Sequence, residues 1–309
     1  MSWNPAVAHD AGLIAPESIE TVIVPRSRDI GGFEVRRALP VIGRRTVGPF
    51  VFFDQAGPAE FVTGEGIDVR PHPHIGLGTV TYLYRGEFQH RDSLGSDQLI
   101  LPGEVNWMVS GRAVTHSERT SEETRKNPHS LLGIQTWVAL PKGAEDSAAS
   151  FEHHGKDALP VLNAEGITAR VIMGRAWGQV SPVSTFTDMF YVDAAVAPHH
   201  QMPLPDDHED RGIYILEGSI DVAGETYDAG RMLVFRPGDR ISVRAGVSGA
   251  RLLLLGGATL DEPRHMWWNF VSSSKEKIEE AKEHWRAERW GEGIFDLPTG
   301  DENEWIPLP

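Results

Sequence analysis

The chain has 309 residues, with 44 Asp and Glu against 29 Lys and Arg for a net charge of −15, and it has no Cys. Such an acidic surface repels phosphate backbones, which argues against direct nucleic-acid binding. The missing Cys excludes disulfides, thiolate nucleophiles, zinc–thiolate sites and iron–sulfur clusters, so any metal must be held by His and carboxylate. The longest apolar runs, such as Leu252 to Leu255, are far too short to span a bilayer. The opening MSWNPAVAHD lacks the basic segment and apolar run of a secretory signal. The expectation is a cytoplasmic protein with no membrane contact.

In chain order, 32 Gly and 21 Pro punctuate short runs rich in Val, Ile, Leu, Thr, Tyr and Phe. Thr79 to Tyr84 is followed by Arg85-Gly86, and Gly133 to Leu140 ends at Pro141. Runs of that length between turn formers predict strands of an all-β sandwich or barrel. In the second run, Gln135, Trp137 and Ala139 would share one face, with Ile134, Thr136, Val138 and Leu140 on the other. The polar stretch from Pro141 to Pro160 reads as a join, which divides the chain into 1–142 and 143–309.

A weak internal repeat supports that division. Tyr82-Leu83-Tyr84-Arg85-Gly86 matches Tyr214-Ile215-Leu216-Glu217-Gly218, and Leu101-Pro102-Gly103-Glu104 matches Arg236-Pro237-Gly238-Asp239, in the same order and at similar offsets. Duplication of a β-domain accounts for both. Near the end, Ser273-Ser274-Lys275-Glu276 has the form of a capping box. Ile278, Ala281 and Trp285 then recur on one stripe, which predicts a helix packed on the second β-domain.

Two segments carry chemistry. Pro71-His72-Pro73-His74 places imidazoles at i and i+2, which in extended backbone leave the same face of a strand. Thr115-His116-Ser117-Glu118 repeats the spacing with His and Glu. If the two strands meet inside a barrel, His72, His74, His116 and Glu118 form one cage. Three neutral imidazoles and a carboxylate leave open positions on an Fe(II)-type ion for substrate or oxygen. His90 and Asp92 suit either a hydrogen bond behind a ligand histidine or a turn, with the turn favoured. Trp107 and Met108 suit either an apolar mouth or core packing, and His153 and His154 receive no role.

The run His72 to Leu83, with His90-Arg91-Asp92-Ser93-Leu94-Gly95, Pro102 to Met108, and Gly111 to Glu118, resembles the pirin family. The likeness is densest over about residues 70 to 140 and looser beyond. It implies a bicupin, meaning two tandem cupin-type β-barrels with a C-terminal helix. It implies one divalent metal, Fe(II) above others, held in the N-terminal barrel by His72, His74, His116 and Glu118. The activity it implies is flavonol cleavage of the quercetin 2,3-dioxygenase type, with Glu118 also acting as the base that takes the substrate proton. The alternative it leaves open is an iron-dependent regulatory protein acting through protein partners.

One departure from the family is Gly78, which stands where its members carry Glu. That leaves the ligand set whole while changing the pocket or its hydrogen bonds. The repeat offsets carry the four ligand positions onto Leu204, Asp206, Arg251 and Leu253, so the second barrel is expected to be scaffold. His199, His200 and His208 are expected to be loop histidines there.

Overall fold

The computed structural model describes residues 18–29 and 33–309, so the reading of the first ten residues as free of a secretory signal lies outside it. The fold is all-β, and among the described residues the one helix longer than a single turn lies near the C-terminus. Among the described residues, no helix is long and apolar enough to cross a membrane.

Two units emerge, and neither is a single stretch of chain. One joins Ser27–Arg37, Phe52–Lys156 and Leu260–Pro309. The other joins the described residues up to Arg26 with Ala38–Val51 and Asp157–Thr259. In this second unit, Ile19–Ile23 pairs antiparallel with Arg231–Phe235. Arg44 Nη2 donates to Asp210 Oδ1 over 2.5 Å, and the Gly48 amide donates to Asp210 Oδ2 over 2.8 Å. These bonds explain why residues from the first part of the chain belong with the later barrel.

The unit with the two histidine segments is built on a central antiparallel run. Leu77–Arg85 pairs with His129–Ala139 on one side and Val105–Val109 on the other, and Ser150–His154 extends the sheet beyond Val105–Val109. A four-stranded sheet lies in the order Asp68–His74, Val114–Arg119, Phe88–Asp92, Asp97–Ile100. The other unit is a ten-stranded sheet around a core of Ile, Val, Leu, Ala, Met and Phe side chains.

The internal repeat has a conformational cause. Gly86 and Gly218 adopt φ +80° and +74°, and a side chain at either would strike backbone of the neighbouring strand, Ser130 and Gly249 respectively. Gly103 and Gly238 adopt φ +84° and +85° after their prolines. Only glycine takes this left-handed region freely, so both copies keep the same residues at the same bends.

The terminal helix spans Lys275–Arg286 and buries Ile278, Ala281 and Trp285, as its stripe predicts. Its partners correct the expectation. The stripe packs with Ile75, Phe270, Phe295 and Leu297, all in the unit bearing the histidine pairs, and not on the second β-domain. A burial stripe shows that a face is covered but not what covers it. The cap also moves by one residue. Ser274 accepts from the Lys277 amide, while Ser273 donates its amide and hydroxyl to Glu145.

Candidate metal centre

The strand Asp68–His74 runs antiparallel to Val114–Arg119, with His72 opposite His116 and His74 opposite Val114. Side chains opposite one another in an antiparallel pair share a face, so the period-2 spacing delivers three imidazoles to one point. His72, His74 and His116 are buried, and each offers a nitrogen within 4.8 Å of the others. His74 Nε2 and His116 Nε2 are 3.1 Å apart. Two nitrogens about 2.1 Å from one ion, at adjacent octahedral positions, would be about 3.0 Å apart. The spacing therefore suits a metal ion.

Electrostatics agree with that fit. Burial lowers the pKa of all three histidines, with His74 and His116 held well below the usual imidazole range. Neighbouring imidazoles push His74 and His116 further in the same direction. At His72, the Arg70 carbonyl and the Glu118 carboxylate partly oppose burial. Neutral imidazoles with free lone pairs are what a divalent cation requires. His72 Nδ1 lies 2.9 Å from the Arg70 carbonyl, so it donates and leaves Nε2 as the lone-pair nitrogen.

Glu118 stands apart from the three rings. The register shifts between His116 and Glu118, and Glu118 pairs with Val69 and His90. Its oxygens are not among the atoms that lie within 4.8 Å of one another. Gln135 Nε2 instead donates to both oxygens over 2.8 Å, and Thr81 Oγ1 donates to Oε1 over 3.2 Å. Gln135 faces the site as its predicted strand face requires, and Trp137 on the same face lies edge-on to His74 with centroids 5.2 Å apart. Sequence reasoning gave Gln135 no role. Its position opposite Thr81 is a matter of register, which no local motif encodes.

His90 and Asp92 serve both the hydrogen bond and the turn between which the sequence left a choice. Asp92 Oδ1 accepts from the Leu94 and Ser96 amides, over 2.9 and 3.0 Å, which is the turn. Asp92 Oδ2 lies 3.1 Å from His90 Nε2, and His90 Nδ1 lies 3.4 Å from His116 Nδ1. Burial acts to raise the Asp92 carboxyl, but His90 and Ser96 outweigh it and hold it below the usual range.

Trp107 and Met108 part company. Met108 lies opposite Thr79 and Phe151, while Trp107 lies opposite Val80 on the other face and is fully buried. Gly78 shares the Trp107 face, and a Cβ there would overlap the indole ring. The missing Glu at Gly78 is thus replaced by core packing on the face turned away from Thr79 and Thr81. His153, given no role from sequence, pairs its Nδ1 with Asn106 Oδ1 over 2.7 Å, and Asn106 lies opposite Thr81. A cavity of about 390 Å³ lies elsewhere in the unit, with Ile75, Arg112, Lys277 and Ile294 in its lining but none of these histidines.

In the other unit, Leu204 and Leu253 are buried, and Arg251 pairs with Asp193. His199 and His200 lie outside strands, as expected. His208 also lies outside strands, yet it is buried against Phe190 with Nε2 at 3.0 Å from the Arg175 carbonyl.

Comparison with known proteins gives a consistent picture. A family model described as Pirin matches residues 32–138, and another described as the Pirin C-terminal cupin domain matches residues 191–291. A pirin-like protein of Caulobacter vibrioides is 45% identical over 294 residues, covering 94% of this chain and 99% of that one. A quercetin 2,3-dioxygenase structure from Acinetobacter baumannii is similar at a TM-score of 0.86 and 33% identity, covering 94% of each chain. A second quercetin 2,3-dioxygenase from that organism is similar at 0.79 and 26% identity, covering 87% of this chain and 96% of that one.

Proposed function

Because the chain belongs to the pirin family and has its bicupin fold, we propose that it is a metal-dependent dioxygenase that cleaves flavonols of the quercetin type. The convergence of three buried, neutral imidazoles beside a hydrogen-bonded carboxylate carries this reading. In it, His72, His74 and His116 hold one divalent ion, Fe(II), and Glu118, whose oxygens lie outside that cluster on Gln135 and Thr81, is a loosely held fourth ligand and so stays free to act as a base. The ion, when bound, supplies a Lewis-acidic position at which a substrate oxygen and dioxygen meet.

The chain's own residues do the rest. Glu118 takes the proton of the flavonol 3-hydroxyl, which the neighbouring carbonyl makes acidic. Gln135 and Thr81 orient the carboxylate for that transfer. Trp137, stacked on Phe52 with centroids 3.9 Å apart, offers an aromatic wall beside His74. Dioxygen then adds across C2 and C4, the heterocycle opens and carbon monoxide leaves.

The test is oxygen uptake with quercetin after anaerobic loading with Fe(II), beside the His116→Ala variant. The expected result is metal-dependent uptake with carbon monoxide release, falling to background in the variant as its bound iron is lost. A fully loaded site without turnover would overturn the enzyme reading and favour a metal-gated binding protein.

A further inference from the structure

We propose that His90, backed by Asp92, is a positioning residue that fixes the His116 ring so that Nε2 is presented to the cluster. The inference rests on the reading of His72, His74 and His116 as a metal centre. Its starting point is a row of three groups, Asp92 Oδ2 to His90 Nε2 at 3.1 Å and His90 Nδ1 to His116 Nδ1 at 3.4 Å.

Proton logic gives the row a direction. An ionised carboxylate only accepts, so His90 Nε2 carries the hydrogen and donates it to Asp92. In the neutral ring, His90 Nδ1 then has a lone pair and needs a donor. The group that faces it is His116 Nδ1, which must therefore carry its own hydrogen. That leaves His116 Nε2 with a lone pair, directed at His74 Nε2. His72 is fixed in the same sense by a backbone carbonyl, whereas His116 relies on two side chains.

The surroundings hold this arrangement in place. His90 and Asp92 are 3% and 1% exposed, so water does not compete for their hydrogen bonds. Phe151 lies flat on the His90 ring, with centroids 4.5 Å apart and planes 16° from parallel. The turn that Asp92 Oδ1 builds is fastened to the ligand strand. Ser93 donates its amide to the Thr115 carbonyl over 2.9 Å, and its hydroxyl accepts from the Thr115 amide over 3.2 Å. One Asp92 oxygen thus shapes the turn while the other orients the imidazole. The turn is built on Oδ1 alone, so it does not account for His90 on Oδ2.

The test uses Co(II) binding, followed by visible absorption and by competition with a chelator, in the full chain. His90→Phe keeps a flat ring against Phe151 but removes the acceptor. It should weaken Co(II) binding about 10- to 100-fold and shift the absorption bands. His90→Gln offers an amide oxygen to His116 and an amide N–H to Asp92, so it should recover most of both. His90→Phe with wild-type affinity and spectrum would overturn the proposal while leaving the metal centre standing. Failure of the wild-type protein to take up Co(II) would overturn both. Should His90→Phe not fold, imidazole ¹⁵N shifts of the wild-type Zn(II) form decide the matter. His116 protonated at Nδ1 supports the proposal, and His116 protonated at Nε2 overturns it.

Discussion

The two barrels use the same register to build opposite interiors. In the first, Thr81 lies between Gln135 on one neighbouring strand and Asn106 on the other. In the second, the repeat puts Ile213 at the Thr81 position, and Ile213 lies between Leu254 and Leu233. A polar trio, two of whose members (Thr81 and Gln135) hold Glu118, is thus matched by an aliphatic trio buried in the core. What a duplicated scaffold retains are its bends, at Gly86 and Gly218, because backbone overlap forbids anything larger. The facing side chains are free to diverge, provided each interior is filled and each buried polar group is bonded.

If the second barrel is scaffold, damage there should cost stability and spare the metal. Leu254→Ala removes a fully buried side chain from the aliphatic core. The expected loss is about 2–5 kcal/mol by chemical denaturation, with stoichiometric metal still bound by the folded fraction. Loss of metal in step with a native fold would break the comparison, since it would make the second interior part of the site.

The first barrel should show a pH response of its own once stripped of metal by a chelator. His72, His74 and His116 are neutral in the fold and have lowered pKa values, whereas the unfolded chain protonates near the ordinary value of 6.5. Below that pH the unfolded state binds more protons, so stability falls as the solution is acidified and rises as pH increases. His74 and His116, held furthest below the ordinary value, each contribute up to about 1.4 kcal/mol per pH unit below 6.5, and His72 adds to the slope in the same direction. Melting temperatures from pH 7.5 down to 5.5 check this, with His74→Phe expected to flatten the slope. A slope unchanged in that variant would show that the titrating groups lie elsewhere.

The histidine cluster was legible because a strand's two-residue period is local, so His72-Pro73-His74 declares its face without knowing its partner, whereas the register shift between His116 and Glu118 is not written in their spacing. The repeat was legible for a similar reason, since a positive φ restricts the residue at that very position. What the sequence hid depends on pairing across the chain. Gln135 reaches Glu118 only because the strands align Thr81 with Gln135. The helix reads as amphipathic wherever it docks, so Ile75 and Phe270 could not be foreseen as its partners. The units interleave because hydrogen bonds such as those of Asp210 are made by residues distant in sequence.

The smallest expected effect tests where the family departure at Gly78 acts. Gly78 lies opposite Val109 and Val138, and its face is that of Val80 and Trp107, not that of Thr79 and Thr81. A methyl group there would press into the Trp107 indole, which is itself 1% exposed and has no room to retreat. Gly78→Ala should therefore destabilise by about 1–3 kcal/mol, the usual cost of overpacking a filled core. Because the strain falls on the far face of the strand, metal affinity should change less than threefold while the melting temperature drops. Pairing it with Trp107→Phe should recover part of the loss by opening space beside the new methyl. If Gly78→Ala instead weakened metal binding tenfold at unchanged stability, the glycine would belong to the metal site, and the two faces of this strand would have been assigned the wrong way round.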